Sequence, residues 1–247
     1  MKKWLALAAT AVLGASLLIS GCGSSTNNAS SSGSKEVLKV AANPVPHAEI
    51  LEQVKPILAK EGVDLQIVEF TDYIQPNMAL SSHEVDANFF ANVPYQNNYN
   101  KDHGTNFVSF APVHIEPLAI YSQKIKDLKD LPNGAKVAIP SDPTNSARAL
   151  LLLQSAGLVT LKDPTGLTNT PFDITSNPKN IQITELEAAQ IPRSIQDLDA
   201  AVINANYALP AGLNPTKDGL FVEKADSPYA NLLSVNPGDE NKPAIQK

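Results

Sequence analysis

The chain has 247 residues, which is enough for one large domain or for two smaller lobes that each have a hydrophobic core. Apolar residues account for 43% of it and charged residues for 18%, so intrinsic disorder and membrane embedding are excluded for most of its length. The formal net charge is -6 and no block of basic residues is present, which excludes nucleic acid as a partner.

The N-terminal 21 residues have the composition of an export signal. Two lysines precede the apolar run of residues 5–19, which is shorter than the roughly 20 residues that a membrane-spanning helix needs. Residues 19–22 read Ile-Ser-Gly-Cys and resemble a lipobox, in which Cys22, the only cysteine, is acylated before the signal is cleaved. We therefore predict a signal peptide at residues 1–21 and a lipid anchor on Cys22 that holds the protein at the extracytoplasmic face of the cell membrane.

Residues 22–36 are predicted to join this anchor to a folded domain as a flexible linker. Residues 23–34 contain only Gly, Ser, Thr, Asn and Ala, which cannot bury a significant apolar area. From residue 37 onward, short apolar runs alternate with helical patterns. Strands are predicted at residues 37–42, 65–70, 107–113, 117–122, 136–139, 181–186 and 200–203, and helices at 48–60, after Gln75-Pro76, at 147–156 and at 190–196. This alternation predicts an α/β fold with a largely parallel sheet, arranged either as two lobes or as one doubly wound domain.

The residues that carry catalytic chemistry are sparse. No nucleophile motif, phosphate-binding loop or dinucleotide-binding turn occurs, so we predict neither an enzyme nor a bound cofactor. None of the four histidines (His47, His83, His103 and His114) has a second histidine two to four residues further on. His47 with Glu49, or His114 with Glu116, would need ligands from elsewhere in the chain to bind a metal. We therefore expect loop or surface histidines rather than a metal site.

The chain contains only two arginines, Arg148 and Arg193. Arg193 fits a solvated surface position. Arg148 follows the turn sequence 140–145, which ends a predicted strand and begins a predicted helix with Thr144 or Asn145 as its N-cap. A guanidinium one turn into that helix can bind a carboxylate bidentately, and it can equally form an ion pair with an acid from another strand. Both interpretations remain open from the residues alone.

Four aromatic residues fall within 23 positions, on segments predicted as loops: Tyr73, Phe89, Phe90 and Tyr95. Aromatic faces at strand ends can enclose a small apolar side chain, and they suit a thioether. Core packing is the alternative for one member of the adjacent Phe pair, because neighbours on an extended chain point to opposite sides. Asn204 and Asn206, which follow the predicted strand 200–203, add amide donors and acceptors.

Seven stretches, in order along residues 37–235, together resemble the methionine-binding lipoprotein family (MetQ/NlpA), the solute-binding subunits of methionine ABC importers. They are residues 70–73, 86–90, 114–117, 138–148, 185–190, 202–207 and 227–231. The resemblance implies a two-lobed, type II periplasmic-binding-protein fold with ligand between the lobes and hinge strands near residues 117–122 and 203–206. It places lobe 1 at residues 37–118, lobe 2 at 119–204 and a return to lobe 1 at 205–247. Relatives usually continue beyond the position of Lys247, so the resemblance also implies that the C-terminal part is truncated.

The resemblance further implies L-methionine as ligand, an ABC permease and its ATPase as partners, and a role for eight residues. Tyr73, Phe90 and Tyr95 would surround the methionine side chain, Arg148 would hold the α-carboxylate, and Asn204, Asn206 and Asn231 would bind the polar end. Asn92 stands where the family often has His, and it belongs to the same site. The alternatives are D-methionine or a Met-containing dipeptide as ligand and, in another class, a metal-binding surface lipoprotein.

Overall fold

The computed structural model describes residues 35–247, and within them the chain forms two five-stranded β-sheets. The predicted signal peptide, Cys22 and residues 22–34 of the predicted linker lie outside the described residues. Among the residues that are described, none of the helices has both the length and the apolar character needed to cross a membrane.

The strands and helices follow one another in an α/β order. The strands are β1 Glu36–Ala42, β2 Val63–Glu69, β3 Ala87–Asn92, β4 Val108–Ile115, β5 Ala119–Tyr121, β6 Lys136–Pro140, β7 Thr160–Leu161, β8 Ile174–Ser176, β9 Gln182–Leu186, β10 Ala200–Ile203, β11 Phe221–Val222 and β12 Ala230–Val235. The α-helices are α1 Glu49–Lys60, α2 Gln75–Ser81, α3 Val93–His103, α4 Pro143–Ser155, α5 Ile191–Ser194, α6 Ala205–Ala208, α7 Pro215–Asp218 and α8 Pro243–Gln246. The predicted helix at 190–196 is shorter than expected, since α5 is flanked by single 3-10 turns.

The first sheet has the strand order β2-β1-β3-β12-β4. β1 pairs in parallel with β2 and β3, whereas β12 runs antiparallel to both β3 and β4. Leu51 and Leu58 of α1 pack against one face of this sheet with Leu38, Val40 and Phe89. The sheet is therefore mixed, because a late segment of the chain inserts beside β3.

The second sheet has the strand order β11-β5-β10-β6-β9. β6 pairs in parallel with β9 and β10, and β5 runs antiparallel to β10 and β11. On one face, Leu150 and Leu153 of α4 are completely buried against Val137, Ile139 and Val202. The other face is covered by a separate apolar cluster that includes Ile191 of α5. Burial on both faces explains why β10 and residues 137–140 of β6 are apolar.

The chain passes between the two sheets at residues 116–118, which join β4 to β5, and again at residues 223–229, which join β11 to β12. The predicted return at residue 205, and with it the hinge strand predicted near 203–206, differs from this arrangement. β11 still pairs with β5 of the second sheet, so the chain remains there through Val222. The region after residue 205 does approach the first sheet, because Asn206 Nδ2 lies 3.5 Å from Asn43 Oδ1, but it does not cross.

Candidate functional site

A small cavity lies between the two sheets. It is lined by Tyr73, Phe90, Asn92, Tyr95, Glu116, Asn145, Arg148, Asn204, Ala205, Asn206 and Asn231. All eight residues singled out from the sequence are in this lining, so the structure brings them together around one space. Glu116, Asn145 and Ala205 line it in addition.

Tyr73 lies on the predicted loop, between β2 and α2, whereas the other aromatic residues lie on regular structure rather than on the loops predicted for them. Phe90 and Asn92 belong to β3, and Tyr95 is in the first turn of α3. β3 is an inner strand of the first sheet, and every one of its residues is buried. It therefore lacks the alternation of apolar and polar residues by which a strand is recognised in the sequence. The expected split of the Phe pair is confirmed, because Phe89 packs into the core on the far side while Phe90 lines the cavity.

Tyr73, Phe90 and Tyr95 form an aromatic wall on one side of the cavity. Their ring centroids are 5.9 Å apart for Tyr73 and Phe90, 5.8 Å for Tyr73 and Tyr95, and 5.7 Å for Phe90 and Tyr95. The Tyr95 hydroxyl donates to the Tyr73 carbonyl at 2.8 Å, which ties the rings together. Burial raises the pKa of Tyr73, so its hydroxyl stays neutral and donates to Asn206 Oδ1 at 2.6 Å. The result is a rigid apolar surface with its polar tips already hydrogen-bonded.

Arg148 lies in the second turn of α4, and its side chain is only 5% exposed. The N-cap of this helix is Asp142, whose carboxylate accepts from the Asn145 backbone N–H at 2.9 Å. The prediction of Thr144 or Asn145 as the cap was wrong, because Pro143 occupies the first helical position and the capping side chain must precede it.

The guanidinium of Arg148 is both ion-paired and part of the cavity wall. Nε donates to Glu223 Oε1 at 2.9 Å, and Nη2 donates to the Glu116 carbonyl at 2.8 Å and to Glu223 Oε2. The Tyr229 ring lies under the guanidinium, with its centroid 4.3 Å from the central carbon. A buried cation needs such partners. Nη1 has no partner among residues 35–247, so one edge of the guanidinium is free to bind a ligand.

The asparagines of the lining are linked to one another and to neighbouring acids. Asn204 Nδ2 donates to Asn145 Oδ1 at 2.8 Å, whereas Asn204 Oδ1 is buried and has no partner within the described part of the chain. Asn92 caps α3 by accepting from the Tyr95 N–H at 3.0 Å. Asn231 Nδ2 donates to Glu116 Oε1 at 3.3 Å. An unused amide oxygen in a buried cavity favours a ligand that carries a hydrogen-bond donor.

Glu116 forms a cluster with two histidines that the sequence did not place together. His114 Nε2 lies 2.8 Å and His47 Nε2 lies 3.0 Å from Glu116 Oε1. Together these three residues are the one group of potential metal ligands found within residues 35–247, with their ligand atoms inside 4.8 Å of one another. His47 is buried, which contradicts the expectation of a surface histidine, and Glu49, its possible partner in the sequence, is exposed on α1.

The pKa of Glu116 reflects two opposing effects. Burial alone would raise the pKa of this carboxyl, but the contacts from His114 and His47 outweigh burial and lower it from 4.5 to about 2. Glu116 is therefore an ionised carboxylate in the cavity wall at neutral pH.

This shift predicts a specific loss of stability in acid. Because the folded-state pKa is lowered, ionised Glu116 stabilises the fold above pH 4.5, and that contribution is lost as the pH falls from 4.5 to about 2. At about 1.4 kcal/mol per pKa unit the loss is on the order of 3 kcal/mol. Denaturant unfolding between pH 7 and pH 2.5 should show a shallower decline in Glu116→Gln than in wild type. Glu49→Gln, at an exposed position, should follow wild type. Identical declines in wild type and Glu116→Gln would contradict the assignment.

Comparison with known proteins gives consistent matches over the described part of the chain. The family model described as NlpA lipoprotein matches residues 38–247. The D-methionine-binding lipoprotein MetQ of Salmonella typhimurium is 43% identical over 249 residues, covering 99% of this chain and 89% of the relative. A solved structure of a nutrient binding protein from Burkholderia cenocepacia bound to methionine is 48% identical, with a TM-score of 0.80 and coverage of 85% of this chain and 88% of that one. The crystal structure of lipoprotein Tp32 from Treponema pallidum is 42% identical, with a TM-score of 0.83 and coverage of 86% and 88%.

Proposed function

The chain belongs to the NlpA lipoprotein family, and from this premise we propose that it is the substrate-binding protein of an ABC importer, which captures L-methionine outside the membrane and delivers it to the permease and its ATPase. The predicted two-lobed α/β fold is confirmed by the two sheets and by the likeness to solved binding proteins of this family. The family consists of substrate-binding transport proteins, in agreement with the prediction that the chain is not an enzyme.

The observation that carries the proposal is the pairing, in one cavity, of the aromatic wall with the free edge of Arg148. The thioether side chain of methionine packs against Tyr73, Phe90 and Tyr95, where sulfur–aromatic contacts add to apolar burial. The α-carboxylate binds Nη1 of Arg148, and Glu223 holds the guanidinium in position from the other side. Asn204 contributes its unused amide oxygen to the polar end of the ligand.

The remaining lining residues complete the site. Asn206 orients the Tyr73 hydroxyl, and Asn92 fixes Tyr95 by capping its helix. Asn231 lies beside Glu116 at the polar end.

The expected affinity follows from the size of the ligand and from the groups that line the cavity. Methionine has about nine heavy atoms, and at a ceiling of about 1.5 kcal/mol per atom its binding energy is limited to roughly 13 kcal/mol, or about nanomolar. A buried side chain and two or three charge-assisted hydrogen bonds are sufficient for micromolar or tighter binding.

Residues 37–118 form the first lobe and residues 119–222 the second, with the chain returning to the first lobe from residue 230 onward. The connections at 116–118 and 223–229 then act as the hinge, and both adjoin the site through Glu116 and Glu223. The Tyr73–Asn206 hydrogen bond joins elements of the two lobes across the cavity. Ligand that contacts both lobes favours the closed form, which presents the docking surface for the permease.

The proposal is tested by calorimetry on the purified mature domain with L-methionine, D-methionine and glycyl-methionine. We expect one site per chain with micromolar or tighter affinity, and the tightest binding for L-methionine. Stronger binding of D-methionine or of the dipeptide would assign the ligand to that alternative. Absence of measurable heat with all three ligands would overturn the proposed function.

The lipid anchor is proposed for Cys22, which lies outside the described residues. Cys22→Ser removes the only thiol that can be acylated, so this variant should move from the membrane fraction to the soluble fraction. Globomycin, which blocks lipoprotein signal cleavage, should leave the wild-type precursor unprocessed. Ser20→Ala, which keeps a small residue before Cys22, serves as the matched control and should remain at the membrane. Unchanged membrane association of Cys22→Ser would contradict the anchor.

A further inference from the structure

A layer of polar side chains lies on the face of the first sheet that α2 and α3 cover. Its members, here called the buried polar layer, are Asn77 of α2, Asn88 of β3, Gln96 of α3, Ser109 of β4 and Ser234 of β12. Four of them are completely buried, and Ser109 is partly buried. Polar groups that are buried in this way destabilise a fold unless each one has a hydrogen-bond partner.

The register of the sheet brings three of these residues into one row. Ser234 pairs with Asn88 on one side and with Ser109 on the other. Asn88 points away from its neighbour Phe89, whose ring lies in the core beneath α1. The row therefore faces α2 and α3, which supply Asn77 and Gln96.

Hydrogen bonds within the buried polar layer form two separate groups. Asn88 Nδ2 donates to Asn77 Oδ1 at 2.7 Å. Ser234 Oγ donates to Gln96 Oε1 at 3.3 Å. Because the Ser234 hydroxyl has only one proton, Ser109 is the donor in its 3.1 Å contact with Ser234. Within residues 35–247, no side-chain hydrogen bond joins the Asn77–Asn88 pair to the group of Gln96, Ser234 and Ser109.

Three amide atoms of the layer have no partner among the described residues. They are Asn77 Nδ2, Asn88 Oδ1 and Gln96 Nε2, and all three are buried. Two of these atoms are donors and one is an acceptor. A single small group that accepts twice and donates once would therefore satisfy the whole set.

We propose that the buried polar layer binds an internal water molecule, which accepts from Asn77 Nδ2 and Gln96 Nε2 and donates to Asn88 Oδ1. Internal waters typically make about three hydrogen bonds to polar groups that have no other partner. This water bridges α2, β3 and α3, and the last two elements carry Phe90 and Tyr95 of the aromatic wall. None of the five residues of the layer lines the cavity between the sheets, so the inference does not depend on the proposed function.

An ion is the competing occupant of this site. The five side chains are neutral, and one free amide oxygen cannot supply the several oxygen ligands that a metal cation needs. An anion would meet that same oxygen and be repelled by it.

The orientation of the amides does not decide the outcome. If the Gln96 amide is reversed, its nitrogen faces Ser234 and its oxygen becomes the free atom. The water then donates to that oxygen and to Asn88 Oδ1, and it accepts from Asn77 alone. The site takes water in either orientation.

High-resolution crystals of the wild-type protein test the site directly. We expect a water peak within about 3.2 Å of at least two of the three amides, those of Asn77, Asn88 and Gln96. A peak that contacts fewer than two of them, an ion in its place or no peak at all would overturn the inference. This experiment needs no variant, so a folding defect cannot obscure it.

A double-mutant cycle tests whether one water serves both helices. Asn77→Leu and Gln96→Met each remove a donor to the water. If the two side chains share this partner, their effects on the equilibrium constant of unfolding should depart from additivity by at least about twofold. Gln53→Met, at an exposed position of α1, is the matched control and should add to Asn77→Leu without coupling. Additive effects of Asn77→Leu and Gln96→Met would overturn the shared water.

Discussion

Arg148→Ala should weaken methionine binding by about 2 kcal/mol or more, which is about 30-fold or more in Kd. The variant removes the free guanidinium edge that faces the cavity, and with it the only arginine of its lining. It also leaves Glu223, whose side chain is 14% exposed, without its cation, so the free carboxylate opposes the negative end of the ligand. Calorimetry of the purified variant measures the effect directly.

Arg193→Ala is the matched control for this experiment. Arg193 is the only other arginine of the chain, and it is exposed on α5. Its removal should leave the affinity unchanged. Circular dichroism and a thermal melt separate loss of binding from loss of the fold in Arg148→Ala. Wild-type affinity in a folded Arg148→Ala protein would show that the carboxylate is held elsewhere.

Phe90→Ala should weaken methionine binding by about 1.5–3 kcal/mol, or about 10- to 150-fold. Phe90 is the member of the aromatic wall that carries no polar atom, and its ring contacts those of Tyr73 and Tyr95. Its removal takes away the apolar surface against which the thioether packs, and it opens the wall to water. Calorimetry with methionine gives the change in Kd.

Phe172→Ala makes the same chemical change at a position that is 99% exposed, and it should bind like wild type. Comparison of the two variants therefore isolates the effect of the site from the general effect of losing a phenyl ring. An affinity of Phe90→Ala within twofold of wild type would contradict the placement of the ligand side chain.

Part of the composition of the site could be predicted from the sequence because several of its residues follow strands. Asn204 comes directly after β10, Tyr73 follows β2, and Arg148 lies in the second turn of the helix that follows β6. In α/β sheets the carboxyl ends of the strands meet at one edge, where ligands bind. The family resemblance implies the roles of the eight residues, and the position of these three after their strands places them at a common cavity.

The partners within the site could not be predicted in the same way. Arg148 and Glu223 are 75 residues apart, and neither segment has a local pattern that indicates an ion pair. His47 meets Glu116 rather than Glu49 because the buried side of the Pro44–Ala48 turn faces β4, whereas Glu49 points to solvent. Such pairings depend on the tertiary fold of the first sheet, which brings together segments that are distant in sequence. The only signal in the sequence is that His47, and His114 with Glu116, are each candidate metal ligands.

The path of the chain between the two sheets also could not be predicted from the local sequence pattern. β12 is a short apolar segment, and nothing in residues 230–235 indicates that it runs antiparallel between β3 and β4. β11 has only two residues, so its pairing with β5 could not be distinguished from a loop. The resemblance places the return to the first sheet near residue 205, whereas the chain crosses at residues 223–229.

The central claim, that an amino acid with a thioether side chain binds between Arg148 and the aromatic wall, is tested most directly by crystals of the unlabelled protein grown with L-selenomethionine. The methionines and the cysteine of the unlabelled chain carry sulfur and not selenium, so the selenium of the ligand gives a distinct anomalous signal. We expect one strong peak against Tyr73, Phe90 and Tyr95, with the ligand carboxylate on Arg148 Nη1. A peak outside this cavity, or the ligand reversed with its carboxylate at the aromatic wall, would contradict the account.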